Sequence, residues 1–414
     1  MSHEQQELAQ GGYSREEVIA ELHRSGRRIW FRYELLDKDG RHVRWLDDHV
    51  VSGKVTNRMF ADIKRIAEIR LRTRLDLEIT TQRIKPWFYL EMRRRVVSFS
   101  STSWATLAPT WDEMDTIWAS IDEDLVWEYD ELRWPLGVFM IASPKSQLSE
   151  RALLGHDMQL FDQMLILRDW RVEDRYSLES GTNITAAVRE ILRFVGFRGS
   201  DIIIPGSEHT LPADKEWAIG TSFAEIVNDL LDSMNYNSLS FNGHGKAYSY
   251  PYQRPDERHT DYTYQTDDRS IIHPAATYEF DWFGVANHWI AVVSNPDVDE
   301  PLISTFTNDS PGNPLSTVNM QRVITDFRDD LDVVSQEALD SYVERLAFEA
   351  SQIYQRAEID TLLMPMHENG DLIRVVYPRL NRTNDRFVET DWEMELEVGG
   401  KMSHKLRKLV SLHG

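Results

Sequence analysis

The 414-residue chain has no cysteine, which excludes disulfides, thiolate catalysis and cysteine-based zinc sites. That absence is consistent with folding in a reducing cytoplasm. There is also no apolar run of about 18 residues or more, so no membrane-spanning helix is expected. Residues 1–10 are polar and lack the apolar core of a signal peptide. The motifs that announce common chemistry are missing too: no zinc-protease helix, no phosphate-cradling Gly-Lys-Ser/Thr loop, no dinucleotide Gly-x-Gly-x-x-Gly and no nucleophile elbow. Positive charge is scarce. Against 68 Asp and Glu there are 46 Lys and Arg, a net charge of −22, which argues against general binding to nucleic acid or anionic lipid. The same sign would suit a wall that a DNA duplex passes without sticking.

The length points to two to four domains, and 41% hydrophobic residues is enough for several cores. The most regular stretch runs over residues 181–250, where one pattern is written twice. Gly181-Thr182 precedes Ile184, Ala187, Val188, Ile191, Leu192 and Val195. Gly220-Thr221 precedes Phe223, Ile226, Val227, Leu230, Leu231 and Met234. The shared offsets place each set on one stripe of a 3.6-residue helix, with Thr182 and Thr221 as expected N-caps and Glu190 and Asp229 facing out. Ser238 to Phe241 and Ala247 to Tyr250 then alternate about Asn242-Gly243, a hairpin with good turn chemistry. Ile202 to Ile204 reads as a short strand. No third copy exists, so a solenoid is not expected.

Around this unit the chain reads mostly as strand. Residues 1–26 form a polar arm with a short helix capped by Ser14 and apolar at Val18, Ile19 and Leu22. From residue 27, Ile29, Phe31, Tyr33 and Leu35 alternate, Asp39-Gly40 turns the chain, and strands follow at 49–55 and 63–73. In the latter Ala67, Ile69 and Leu71 face one way and Glu68, Arg70 and Arg72 the other. Residues 54–95 hold twelve Lys or Arg against five acids, best read as a solvated or salt-bridged face rather than a nucleic-acid patch. Composition then reverses: residues 98–133 carry nine acids and tryptophans at 104, 111, 118 and 127. We read this as an insertion that folds back on the basic strands, or on those of an adjacent subunit, through acids such as Asp122, Glu123 and Asp124. Strands return at 138–142, with a turn at Ser143-Pro144, and near 153 and 175–178, with a short helix over 161–167. A Pro- and Tyr-rich link, 251–268, marks a boundary. Strands are expected beyond it at 276–280, 288–294, 323–327, 361–364, 372–377 and 392–398, a loop over 295–319, a helix over 335–356, and a basic, frayed tail over 401–414.

Candidate chemistry is thin. His367, Glu368 and Asp371 are the best metal-ligand set by type, but they flank Asn369-Gly370 in an expected hairpin turn, where polar residues need no metal. His156-Asp157 is a strand-end pair, and His209 and His244 lie in loops with no nucleophile beside them. Carboxylate pairs suited to glycosidase work are unavoidable with 68 acids, so none stands out. No catalytic, cofactor or metal residue is therefore assigned.

Several segments together resemble a known family. The run from Gly181 to Leu192, Leu211-Pro212, Trp217, the run from Gly220 to Leu231 and Asn235 to Phe241 look like the central part of the tail hub proteins of long-tailed bacteriophages. These are also called baseplate hub, tail-associated or minor tail proteins, and are common in phages of Gram-positive hosts. Arg83 to Phe88, Trp134 to Pro144, Asn287 to Asn295, Ser316-Thr317 and Asp360 to Asp371 extend the likeness over roughly residues 27–380, while the Trp-rich insertion departs from it. The resemblance implies an α+β, mostly β fold with two tube-like β-barrel domains, 27–178 and 269–400, and a helix-helix-hairpin domain, 179–268, between them. It further implies a homotrimeric ring that adapts six-fold to three-fold symmetry at the distal end of the virion tail. The implied partners are the distal tail protein ring, the tape-measure protein, other tail-tip or receptor-binding proteins, and genomic DNA in transit. No enzymatic activity is implied, and the chain is expected to stop about where the hub fold ends. The alternative from another class is a β-rich glycan-binding or glycan-cleaving surface protein that uses the Trp-rich segment.

Overall fold

The computed structural model describes residues 7–72, 77–78, 80–98, 124–148, 153–255, 257–265, 272–280, 285–293, 301–329, 331, 333, 335–352, 355–377 and 382–408. Trp104, Trp111, Trp118, Asp122 and Glu123 of the expected insertion, and the side chains of Asp124 and Trp127, lie outside the described residues. The chain divides into a large unit, Phe31–Phe88 with Trp134–Gly414, and a small one, Glu7–Trp30 with Tyr89–Arg133.

The small unit holds helix α1 (Arg15–Leu22). Ser14 caps it as expected: its hydroxyl accepts from Glu17 N while Glu17 accepts from Ser14 N at 2.8 Å, a reciprocal pairing of first-turn donors. Val18 and Leu22 are buried, and Trp30 stacks on Tyr89 with centroids 5.3 Å apart.

The strands follow in chain order. They are β1 (Ile29–Leu36), β2 (His42–Trp45), β3 (Val50–Arg58), β4 (Arg65–Leu71), β5 (Arg83–Ser98), β6 (Asp124–Pro135), β7 (Phe139–Leu148) and β8 (Leu153–Phe161). Short strands come next: β9 (Tyr176–Leu178), β10 (Ile202–Ile203), β11 (Lys215–Trp217), β12 (Ser240–Phe241) and β13 (Ala247–Tyr248). The last group is β14 (Tyr262–Gln265), β15 (Ile272–Phe280), β16 (His288–Val293), β17 (Leu302–Thr307), β18 (Thr325–Arg328), β19 (Gln355–Leu362), β20 (Leu372–Tyr377), β21 (Arg382–Glu395) and β22 (Lys401–Lys408). Fourteen strands form one sheet, in the order β15-β19-β22-β21-β3-β4-β8-β7-β5-β1-β2, with β14 on β20, β20 on β21 and β6 on β5.

Among the described residues no sheet closes on itself. Most of the strands expected to form two barrels share this sheet through β3 and β21, paired from Asp391 opposite Arg58 to Glu395 opposite Lys54, while β16 and β18 lie with β17 in a separate sheet and β9 pairs with β11. The length of β21 makes this possible. Its first half pairs with β20, from Val388 to Arg382, and its second half is left to pair with β3 along the same edge, while β22 occupies the other.

Several expectations change once the pairing is seen. The chain does not turn at Ser143-Pro144: β7 continues through them, opposite Gln159 and Met158, after a bulge that follows Ile141. The loop expected over 295–319 contains β17, which pairs along the whole of β16. The tail is not frayed over 401–408. It is β22, an inner strand between β19 and β21, with Met402, His404 and Leu406 buried on one face.

Helices α2 (Met164–Asp169), α3 (Ile184–Phe194) and α4 (Phe223–Ser233) pack into one core with the β12–β13 hairpin. All twelve apolar residues of the repeated pattern are buried, because each stripe meets the other helix or the hairpin rather than water. The caps fall one residue later than Thr182 and Thr221. Asn183 accepts from Ala186 N at 2.9 Å, and Ser222 forms a capping box with Glu225; Gly181 and Gly220, at φ +82° and +88°, make the turn in. In the hairpin the positive φ belongs to Gly245 (+81°), and Asn242 instead accepts from His244 N and Lys246 N. Ile202 and Ile203 form the expected strand, parallel to β13. After α5 (Thr317–Met320), helix α6 (Gln336–Gln352) covers the three-stranded sheet β17-β16-β18, burying Leu339, Val343 and Ala347 against Trp289 and Val293.

Candidate functional site

Four strands and one loop bring a set of titratable side chains together in the interior of the large unit. Thr361 lies on β19, Glu389 on β21, His404 on β22 and Tyr264 on β14, while His367 and Asp371 come from the connection between β19 and β20. That connection is not the expected hairpin, since β19 pairs with β15 and β22 while β20 pairs with β14 and β21. It runs through the interior, held by Leu363, Met364 and Met366, all buried. His367, Glu368, Asp371, Glu389 and His404 are no more than 1% exposed, so polar groups that would be unremarkable in a surface turn must here satisfy one another.

His367 Nδ1 meets Asp371 Oδ2 at 3.1 Å, and Glu389 Oε2 lies 3.0 Å from the same nitrogen. On its other side His367 Nε2 is 2.7 Å from the Tyr264 hydroxyl. The second oxygen of Glu389 contacts His404 Nδ1, and His404 Nε2 is 2.8 Å from Thr361 Oγ1. One carboxylate thus bridges two imidazoles. Burial opposes a charge on His367, but Glu389 and Asp371 outweigh it and raise the pKa to about 10. At His404 burial prevails and the pKa falls. Burial also acts to raise the pKa of Glu389, yet the two histidines bring it below the usual value. Among the described residues, His367, Glu389 and His404 place three potential metal-ligand atoms within 4.8 Å of one another.

Glu368 turns away from this cluster and forms a buried ion pair with Arg65 of β4. Arg65 Nη1 also donates to Leu136 O at 2.9 Å, Arg65 N donates to Asp162 Oδ2 at 3.1 Å, and Gly243 N donates to Glu368 Oε1 at 3.3 Å. Beside it, Lys64 Nζ donates to Ser238 O, Ser238 Oγ and Ser240 Oγ at 2.6–2.9 Å. Burial lowers the pKa of Lys64 to about 8 and raises that of Asp162 to about 6. Strand β4, the helical unit and the β19–β20 connection are therefore held together at one polar junction. Next to it opens a cleft of about 560 Å³, lined among others by Lys64, Asp232, Tyr250, Tyr252, Arg345 and Glu349.

Of the residues singled out by sequence, the fold unites His367 with Asp371 and sends Glu368 elsewhere. His156 is buried on β8 and Asp157 pairs with Arg70 at the surface. His209 and His244 lie outside the cluster, exposed in loops. Sequence reasoning missed Glu389 and His404. A signal existed for His404, which shares the inward register of Met402 and Leu406; nothing local marked Glu389.

No family model and no curated protein matches the sequence. Solved structures do match. A tail protein from Neisseria meningitidis MC58 is similar at TM-score 0.55 and 11% identity, covering 92% of this chain and 97% of that one. The 43 kDa tail protein of prophage MuSo2 from Shewanella oneidensis gives 0.54 and 10%, covering 92% and 98%. Prophage tail protein gp18 from Listeria monocytogenes EGD-e gives 0.53 and 12%, covering 91% and 94%. At such identities the likeness is one of fold, and over nearly its whole length this chain has the mostly β fold, with few helices, of these tail proteins.

Proposed function

We propose that the protein is a structural hub, or minor tail protein, at the distal end of a phage tail tube. The observation that carries this reading is the length of the likeness: more than nine-tenths of this chain and of each of the three tail proteins superpose. In the proposed assembly, residues 27–178 and 269–400 of three chains supply six tube-like barrels. The resulting ring continues a six-fold tube and hands it on with three-fold symmetry. Its neighbours are the distal tail protein ring, the tape-measure protein and other tail-tip or receptor-binding proteins. The net charge of −22 suits a channel that DNA crosses without being held. Self-association is also favoured by the sheet itself, whose path among the described residues runs out at β15 and β2. Pairing with another copy removes exposed sheet edges of this kind. Enzymatic activity is not part of the proposal, because burial closes the histidine and carboxylate cluster to any substrate.

The glycan-binding alternative has a possible seat in the tyrosine-lined cleft, and one set of measurements separates the two. Light scattering over a concentration series, with and without the distal tail protein of the same phage, should show a trimer or a monomer that becomes one on mixing. A monomer that ignores that partner at every concentration, and whose melting temperature rises with cell-wall oligosaccharides, would refute the hub and support the alternative.

A further inference from the structure

Among the described residues, one buried oxygen of Glu389 is left without a hydrogen bond. Thr361 Oγ1 donates to Leu362 O at 2.9 Å, which leaves its lone pairs to His404 Nε2, so this nitrogen carries the hydrogen and donates. The other ring nitrogen of His404, Nδ1, faces Glu389 Oε1. On the other side His367 Nδ1 gives its hydrogen to Asp371 Oδ2. Glu389 Oε2, only 3.0 Å from that nitrogen, accepts no hydrogen bond among the described residues. One carboxylate and two imidazoles thus converge where water does not reach, with one buried oxygen left over. A buried acceptor in that position is costly, and a cation between His367, Glu389 and His404 would satisfy it.

We propose that His367 Nδ1, His404 Nδ1 and Glu389 bind one divalent transition-metal ion, with zinc as the best match. Zinc bonds to imidazole nitrogen and carboxylate oxygen at about 2.0–2.2 Å in a tetrahedron, which sets neighbouring donors roughly 3.3 Å apart. The separation of 3.0 Å between His367 Nδ1 and Glu389 Oε2 is within a few tenths of that, and the three donor atoms lie within 4.8 Å of one another. The outer partners fit as well. A ligating imidazole is commonly oriented by a hydrogen bond from its other nitrogen, and here Thr361 and Tyr264 occupy those positions on His404 and His367. Binding would release the His367 Nδ1 proton to solvent and leave its Nε2–H donating to Tyr264, so the charge change is a divalent cation gained for protons lost. The three ligands come from β21, β22 and the connection between β19 and β20. The ion would therefore act structurally, be taken up during folding and be retained afterwards. This inference does not depend on the tail-hub reading.

Elemental analysis of the untagged full chain, expressed in zinc-supplemented minimal medium, tests it. About one zinc per chain should survive dialysis against EDTA and leave only on unfolding, and Glu389→Gln and His404→Gln should each lose it. Chain expressed with cobalt should show the intense visible bands of four-coordinate cobalt(II). Should the variants fail to fold, that spectrum from the unmodified chain decides. The proposal is overturned by a metal content near zero with no cobalt bands. It is equally overturned by zinc that EDTA strips from the folded chain without a change in melting temperature, or by zinc that folded variants keep at the level of the unmodified chain, since both would place the ion on the surface.

Discussion

Arg65→Met should be among the most damaging single substitutions in the large unit. The Arg65 and Glu368 side chains are 1% and 0% exposed, so removing the guanidinium takes the counter-charge from a carboxylate that solvent does not reach. It also removes the donor to Leu136 O and the cation that lies 5.5 Å from the Trp392 ring centroid. Breaking a buried pair from one side costs about 3–5 kcal/mol, whereas replacing both partners by apolar groups is often nearly neutral. The singles Arg65→Met and Glu368→Leu should therefore each lose several kcal/mol, and the double variant should lose clearly less than their sum. Urea denaturation followed by fluorescence and far-ultraviolet circular dichroism reads this out. With a slope of about 1–3 kcal/mol per molar urea, each single should shift the midpoint by more than about 1 M. A shift in Arg65→Met below roughly 0.3 M, or additive costs in the double variant, would refute the view that this pair holds β4 to the β19–β20 connection.

Two further outcomes follow from the same junction. The unfolded Lys64 amine keeps its proton up to about 10.5, while the folded one, buried opposite Asp162, releases it near pH 8. The unfolded state thus binds more protons between those values, and stability should rise with pH there by at most about 3 kcal/mol. Lys64→Met should abolish that rise, and a stability gap between the two proteins that stays constant from pH 8 to 10 would contradict it. Gly245→Ala should lower stability by about 2–4 kcal/mol, because φ is +81° and the new Cβ would lie 2.7 Å from Val138 Cγ2 and 2.9 Å from Gln163 Nε2. Gly181→Ala, at φ +82° with nothing within 4 Å, should cost only the backbone strain of about 1–2 kcal/mol; equal melting temperatures for the two variants would show that crowding at Gly245 is relieved.

Local periodicity by itself determined the helical unit and most of the strands. The stripes of α3 and α4, the alternation of β4 and the capping box of α1 are written within a dozen residues, and burial followed them because one side of each element must leave water. Turn and cap positions were legible to within a residue or two. Asn183 and Ser222 displaced the expected threonines, and Gly245 took the left-handed position, since the choice among neighbouring polar residues depends on which backbone hydrogen is presented. Tertiary structure alone decided three matters. It made β22 an inner strand: its Lys-rich face suggested a tail, but the pairing edges of β19 and β21 claimed it. It placed β17 in an apparent loop, where β16 offered a free edge. It also assembled the buried cluster, because His367 and Asp371 meet Glu389 and His404 only when the connection between β19 and β20 is drawn inside. Glu368, adjacent in sequence to His367, faces Arg65 some three hundred positions earlier. Contacts at that separation are set by which strands share a sheet, and no local pattern encodes that.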